Sequence, residues 1–151
     1  MPPHPEPQAL DFLLAQVSRL HRHRAHELLE KLGLYRGQPP VMFALQKQDG
    51  LTHSELAEQL GIAPATTTKM IQRMERAGFV QRRPDAHDQR VSRVYLTRAG
   101  RAVHAELEAI FQQMETETFR GFSEEERMVL RDFLLRLREN LAQAIQEKVS
   151  F

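Results

Sequence analysis

Hydrophobic residues recur at helical intervals over most of the chain. Between Leu10 and Leu32, leucine and valine return every three or four residues, which predicts a first amphipathic helix that ends at Gly33. A second apolar stretch begins at Pro39 and Pro40. Because proline lacks a backbone N–H, it is tolerated in the first turn of a helix but not in its interior. The regular part of a second helix should therefore begin near these two residues.

Two short helices with a tight connection follow. Thr52 and Glu55 have the spacing of a capping box, in which each side chain binds the backbone N–H of the other residue, so a third helix should begin here and end at Gly61. Pro64 suits the first turn of a fourth helix, which should end at Gly78. Its predicted inward positions are Thr67, Met70, Ile71 and Met74. Two short helices joined in this way are typical of a helix-turn-helix.

The stretch RRPDAHDQRVSRVYLT, residues 82–97, interrupts the helical pattern. One extended arm opens near Val80, and a second arm, Val91–Leu96, alternates apolar and polar residues as a half-buried strand does. A polar loop that carries Arg90 lies between the two arms. The sequence therefore predicts a β-hairpin with arginines on its arms and its loop.

Two long helices complete the pattern. Thr97 should cap a fifth helix that ends before Gly121, and Ser123 with Glu126 forms a capping box for a sixth. The first, fifth and sixth helices have apolar stripes wider than one small lobe could cover. We expect these helices to form the interface of a homodimer. The alternative is that the stripes pack on one another within one protomer.

The charge of the chain is unevenly distributed. The net charge is +1, yet residues 64–101 hold nine Lys and Arg against three acidic residues, a net charge of +6. The rest of the chain therefore carries −5. A basic block in an otherwise acidic protein favours a polyanionic partner, although a solvated charged surface would have the same composition.

Composition excludes several classes of protein. The chain has no cysteine, so it has no disulfide, thiolate chemistry or cysteine zinc site. No apolar run approaches the roughly 18 residues of a membrane span, so we expect no membrane partner and a cytoplasmic location. The proline-rich residues 1–8 should form a loose arm. No Ser-His-Asp set, phosphate-binding glycine loop or paired carboxylates are present, so we expect neither an enzyme nor a cofactor.

The segment LTHSELAEQLGIAPATTTKMIQRMERAGFVQRRPDAHDQRVSRVYLTRAGR, Leu51–Arg101, resembles the DNA-binding region of the MarR (multiple antibiotic resistance regulator) family. It includes the Asp-x-Arg motif of the family's wing as Asp88-Gln89-Arg90. The resemblance implies a mainly α fold with a small β-hairpin wing, a winged helix-turn-helix within a six-helix dimer. It also implies that residues 36–97 form the DNA-binding lobe, and that residues 9–35 and 98–151 form the helical dimerisation region.

The resemblance further implies which side chains contact double-stranded DNA. Arg90 would enter the minor groove, whose negative potential attracts a guanidinium, and Asp88 would fix its direction. Thr and Gln side chains with Lys can read base edges in the major groove, while later arginines hold phosphates. The expected major-groove residues are Ala65, Thr66, Thr68, Lys69, Gln72 and Arg73. The expected phosphate contacts are Arg76, Arg82, Arg83 and Arg93. The operator should be pseudo-palindromic.

Members of the family also bind small aromatic or phenolic effectors, which lower their affinity for DNA. The corresponding crevice would involve Arg22, Tyr35, Pro39, Met42 and Phe43, although Met and Phe at helical spacing also occur as plain core residues. The resemblance therefore implies a ligand-responsive repressor. Because the chain has no cysteine, sensing of peroxide through a thiol is excluded.

The first helix carries a cluster of histidines that could be read as a metal site. Of the pairs among His21, His23 and His26, only His23–His26 has a spacing that suits one ion, and His23–Glu27 also does. We expect solvated or interface histidines and no bound metal. The competing hypothesis is a helical dimer that binds a small molecule or a metal without binding DNA. The intact Arg90 and the basic block argue against it.

Overall fold

The computed structural model describes residues 8–35 and 37–149, and side chains through Gln146. The expected loose arm, residues 1–8, lies outside the described residues except for Gln8. The described chain forms six helices and three short strands. Their order is α1 (Leu10–Glu30), α2 (Gln38–Lys47), β1 (Leu51–Thr52), α3 (His53–Leu60), α4 (Pro64–Arg76), β2 (Val80–Pro84), β3 (Ser92–Leu96), α5 (Arg98–Thr118) and α6 (Glu124–Val149). None of these helices has both the length and the apolar character needed to cross a bilayer.

The chain divides into two compact units, Met1–Met114 and Glu115–Phe151. The first unit holds α1 to α4, the sheet and most of α5, and the second holds the end of α5 and all of α6. The border between these units, after Met114, differs from the border predicted after residue 97 between the DNA-binding lobe and the dimerisation helices. The functions assigned to the predicted regions stay a prediction.

Helix boundaries follow the capping residues. The capping box of α3 is confirmed: the Thr52 side chain accepts from the Glu55 N–H at 3.1 Å, and the Glu55 carboxylate accepts from the Thr52 N–H at 3.0 Å. The reciprocal bonds between Ser123 and Glu126 likewise begin α6. The prediction for the end of α1 was two residues too long, since the helix stops at Glu30 and a turn leads to Gly33.

The sheet is antiparallel with the order β1-β3-β2. The predicted hairpin is confirmed as β2 and β3, with Val80 opposite Leu96 and Pro84 opposite Ser92. The strand β1 was not predicted. It is only two residues long, and the capped start of α3 follows it directly. The sequence therefore contains no alternation of apolar and polar residues that would predict this strand.

The core of the first unit joins the helix-turn-helix to the sheet. Leu56 of α3, Ile71 of α4 and Val94 of β3 are completely buried in one cluster, and Leu107 of α5 belongs to it. Of the four inward positions predicted for α4, three are buried, while Met70 is only half-buried. This core fixes the side of α4 that faces the protein, and so determines which of its side chains face outward.

The start of α5 is held against the start of the hairpin. The Thr97 hydroxyl accepts the Gly100 N–H at 3.0 Å, as expected of a cap, and also donates to the Gly78 carbonyl. A Cβ at position 100 would overlap the Phe79 carbonyl, so only glycine fits this close approach. The wing is thereby tied to α5 through backbone contacts.

Helix α4 begins without a side-chain cap, because Ala63 occupies its N-cap position. We expect Ala63→Ser to raise the free energy of unfolding by about 1 kcal/mol, since a serine hydroxyl can accept one of the unpaired N–H groups of the first turn. Urea unfolding measures this gain. Ala77→Ser, at the exposed C-terminal cap of the same helix, is the matched control and should give no comparable gain. An unchanged stability in Ala63→Ser would contradict the expectation.

Candidate nucleic-acid interface

The outward face of α4 is polar and basic. It lies opposite the buried Thr67, Ile71 and Met74, so packing of the core sets its orientation. Four of the predicted major-groove residues are exposed and two are half-buried. The exposed ones are Ala65, Thr66, Lys69 and Arg73, and the half-buried ones are Thr68 and Gln72. The structure therefore brings the six residues onto one exposed helix face, as the sequence predicted. Their contact with bases stays a prediction.

The wing loop, residues 85–91, is organised around the Asp85 carboxylate. Its Oδ1 accepts from Arg93 Nε at 2.6 Å, and its Oδ2 accepts the N–H groups of His87 and Asp88, each at 3.0 Å. These hydrogen bonds, with that from Arg93 the largest cause, lower the pKa of Asp85 to about 2. Asp85 is therefore ionised at neutral pH and closes the loop.

Arg93 links this loop to the neighbouring strand. While its Nε binds Asp85, its Nη1 donates to the Gly50 carbonyl at 2.9 Å, next to β1. The side chain is about two-thirds buried, with 35% of its surface exposed. These hydrogen bonds hold the Arg93 side chain inside the wing, between Asp85 and Gly50. Its predicted phosphate contact would have to be made by the part of the guanidinium that remains exposed.

Arg90 stands at the tip of the wing with 91% of its side chain exposed. Its Nε and Nη2 donate to the two carboxylate oxygens of Asp88 at 3.1 and 3.3 Å, and its own N–H donates to Asp88 Oδ1 at 3.1 Å. The bonds from Arg90 lower the pKa of Asp88. The predicted pairing of Asp88 with Arg90 is confirmed, and it orients a guanidinium that is almost fully exposed to solvent.

Arg82 of β2 joins the wing to α4. Its Nε and Nη2 form a two-pronged pair with the Glu75 carboxylate at 2.9 and 3.0 Å. This hydrogen bonding lowers the pKa of Glu75 and raises that of Arg82. The next residue, Arg83, lies over the ring of Tyr95 at 4.9 Å from its centre. Among the described residues, no ion pair engages Lys69, Arg73 or Arg76, so these cations are available to an anionic partner.

The five residues predicted to form an effector crevice lie in different surroundings. Met42 and Pro39 are buried, whereas Arg22 is exposed on α1 and donates to the Ser18 carbonyl at 3.3 Å. The Phe43 ring makes edge contacts with the rings of His104 and Phe111, at 5.1 and 5.3 Å between centres. Tyr35 borders a cavity of about 280 Å³ next to α4. The other residues lining it are Gln38, Thr66, Lys69, Met70 and Arg73.

Sequence reasoning missed several side chains near these sites. His53, the first residue of α3, lies with Nδ1 at 3.5 Å from the Thr68 hydroxyl, and His104 is buried with Nε2 lacking a hydrogen-bond partner among the described residues. Asp49 accepts the Leu96 N–H and pairs with Arg101 at 2.7 Å. The partners are up to 52 residues apart in the chain, so no local pattern could have revealed them.

The histidines of α1 do not assemble a metal site in the described part of the chain. His23 lies 3.6 Å from the Glu27 carboxylate, which also binds Arg24 at 3.2 Å. Within that same part, no group of three or more His, Asp or Glu side chains could hold an ion. Glu27 is therefore engaged by a cation of the protein itself.

Comparisons with known proteins agree with the winged-helix geometry. The model of the MarR family matches residues 34–92. The chain is 32% identical over 112 residues to the helix-turn-helix transcriptional regulator YwoH of Bacillus subtilis, covering 74% of this chain and 81% of that protein. The crystal structure of the transcriptional regulator SlyA aligns with a TM-score of 0.74 and 25% identity, covering 91% of this chain and 96% of SlyA.

A MarR-like transcription regulator from Bacillus cereus gives a similar result. Its crystal structure also aligns with a TM-score of 0.74, at 30% identity, and the alignment covers 87% of this chain and 95% of that one. The similarity therefore extends well beyond the helix-turn-helix and includes most of each relative.

Proposed function

Because this chain belongs to the MarR family of DNA-binding transcription regulators, we propose that it acts as a homodimer that represses transcription from a pseudo-palindromic operator. The observation that carries this proposal is the exposed guanidinium of Arg90, oriented by Asp88 at the wing tip. A cation in this position suits a narrow minor groove. The basic outward face of α4 would then occupy the adjacent major groove.

The recognition helix and the wing would divide the work of binding. Thr68, Lys69 and Gln72 would contact base edges, while Arg73, Arg76 and Arg83 would hold phosphates. Arg82 and Arg93 would act mainly by supporting the surface, since each is engaged by a carboxylate of the protein and only 39% and 35% of their side chains are exposed, against 91% for Arg90. Loss of one good base contact should change the preference for a base pair by roughly 1–3 kcal/mol.

Homodimer formation is supported by apolar side chains that a single chain leaves exposed. On α1 they recur at helical spacing as Leu10, Leu13, Val17 and Leu20. On α6 they include Val129, Phe133, Leu137, Leu141 and Ile145. Large exposed apolar side chains that line up on one helix mark an interaction surface in a soluble protein, so a second copy of the chain would cover each row.

A dimer with two recognition helices should bind two half-sites about one helical turn, ~34 Å, apart. Selection from random duplex DNA followed by footprinting should show this spacing, and sedimentation should give a dimer. Phosphate contacts release counterions, so the logarithm of affinity should fall with the logarithm of salt concentration by about 0.9 per phosphate neutralised. A monomer in sedimentation, or affinity that is indifferent to salt, would contradict the proposal.

We further propose an organic effector, an aromatic acid that lowers DNA affinity. The exposed ring of Phe111, packed on Phe43, offers aromatic surface. The exposed Arg22 of α1 is the candidate partner for the carboxylate that the sequence predicted. A hundredfold loss of DNA affinity requires about 2.7 kcal/mol of coupling between the two ligands, which is within the usual range. The chain has no cysteine, so thiol oxidation cannot supply this energy.

Phenolic acids, zinc and peroxide should therefore be titrated separately against the operator complex. We expect release by a phenolic acid, with a higher concentration required for Arg22→Ala than for the unmodified protein. Arg19→Ala, one turn earlier on α1, is the matched control. Release by zinc alone would contradict the organic effector, and no release by any compound would favour a constitutive repressor.

A further inference from the structure

His53 is placed where the recognition helix, α3 and the wing meet. Its ring is half-buried, and Nε2 is inaccessible to solvent with no hydrogen-bond partner among the described residues. The other ring nitrogen, Nδ1, lies 3.5 Å from the Thr68 hydroxyl oxygen. In the described part of the chain, Thr68 is therefore the hydrogen-bond partner that the structure offers this ring.

The Thr68 hydroxyl differs from that of its neighbour. Thr67 is buried and its hydroxyl donates to the Ala63 carbonyl at 3.2 Å, which uses its proton within the helix. Thr68 is half-buried on the outward side of α4, and among the described residues its hydroxyl contacts His53 Nδ1. The Thr68 hydroxyl thus contacts an imidazole on a helix face that is proposed to lie against DNA.

The protonation state of His53 decides how this hydroxyl is used. Burial is the largest cause that lowers the pKa of His53, and the positive charge of Arg82 lowers it further. The negative charge of Glu75 raises this pKa, but by less. The ring is therefore neutral at neutral pH and carries one N–H. Orphaned buried N–H groups are rarer than under-satisfied acceptors. The unpartnered Nε2 should accordingly hold the lone pair, and Nδ1 should donate to Thr68.

A hydroxyl that accepts from Nδ1–H keeps its own proton for the opposite side. In the major groove, guanine O6 and N7, adenine N7 and thymine O4 are acceptors, adenine N6 and cytosine N4 are donors, and cytosine alone presents no acceptor. We infer that His53 is a positioning residue that turns the Thr68 hydroxyl proton toward DNA and so makes Thr68 discriminate against cytosine. This inference rests on the proposed contact of Thr68 with a base.

The test compares base preferences of matched variants, using random duplex DNA for selection and competition binding for measurement. Thr68→Val removes the hydroxyl at nearly constant shape and should reduce one base preference by about three- to tenfold. His53→Leu should reduce the same preference at the same base pair. The double variant should show no further loss, because both changes remove one hydrogen-bonded unit.

A second pair of variants tests the direction of the hydrogen bond. Asn and Asp have similar shapes and place a polar atom near the position of Nδ1. Asn can donate, so His53→Asn should retain the discrimination against cytosine, whereas ionised Asp only accepts, takes up the hydroxyl proton and should shift the preference toward cytosine, whose N4 donates. The ratio between base variants is the readout, because the charge of Asp lowers affinity for every DNA. Ser54→Ala, the adjacent exposed position, is the control and should keep the wild-type preference.

The outcomes separate this inference from the proposed function. If the unmodified protein selects no sequence, sequence-specific binding itself fails. If it selects a sequence but Thr68→Val or His53→Leu leaves the preference unchanged, or if His53→Leu weakens all sequences equally, the role of His53 is overturned. Thermal unfolding identifies any variant that does not fold. If His53→Leu does not fold, the test rests on the other two variants. Identical base preferences of His53→Asn and His53→Asp would then overturn the inference.

Discussion

Replacing Arg90 with alanine is expected to weaken operator binding by about tenfold to a hundredfold at fixed salt, which corresponds to roughly 1.4–2.7 kcal/mol. The guanidinium is almost fully exposed at the wing tip and aligned by two bonds to Asp88, so little side-chain entropy remains to be lost on binding. Fluorescence anisotropy with a labelled operator measures the change.

Further variants separate the contribution of the charge of Arg90 to operator affinity from the contribution of the shape of its guanidinium. Arg90→Lys keeps the charge but lacks the planar, five-donor guanidinium, so its affinity should fall between those of the unmodified protein and Arg90→Ala. Asp88→Ala should weaken binding less than Arg90→Ala, because it frees the guanidinium rather than deleting it. Arg120→Ala removes an exposed arginine outside the basic segment and serves as control. Wild-type affinity in Arg90→Ala would exclude Arg90 as a DNA contact.

The features of the fold that the sequence predicted are those with local causes. The capping boxes at Thr52 and Ser123 involve residues three positions apart, and Pro64 acts through its own ring, so each is readable from a few neighbouring letters. The hairpin was likewise signalled by alternation along β3. Strand β1 depends instead on pairing with β3 more than 40 residues away, and two residues are too few for a period to appear.

The residues of the candidate site likewise divide into those that local spacing predicts and those whose contacts depend on the tertiary structure. The outward face of α4 follows from helical spacing once the buried positions are known, and Asp88 reaches Arg90 across two residues. By contrast, the contacts of Arg93 with Gly50, of Arg82 with Glu75 and of His53 with Thr68 join separate elements. The sequence therefore identified Arg82 and Arg93 as basic residues, but their engagement by carboxylates of the protein depends on the tertiary structure.

The second large effect is expected from Asp85, which contacts no DNA in the proposed complex. Asp85→Ala removes the acceptor of three hydrogen bonds at once and leaves the partly buried Arg93 without its carboxylate. The wing loop should lose its fixed shape, and operator affinity should fall by about tenfold or more. Asp88→Ala, in the same loop, should cost less because the Asp85 network stays intact.

Acid titration distinguishes this structural role of Asp85 from a direct DNA contact, since it needs no DNA. The pKa of Asp85 in the folded protein is about 2, below its ordinary value of 3.8. A carboxyl with a lowered pKa stabilises the fold fully above the ordinary value, and its contribution disappears as pH falls through the folded value. The unmodified protein should therefore be more stable than Asp85→Ala at pH 5, and the difference should shrink between pH 4 and pH 2. Equal stability at pH 5, together with wild-type DNA affinity, would show that the carboxylate does not hold the wing in shape.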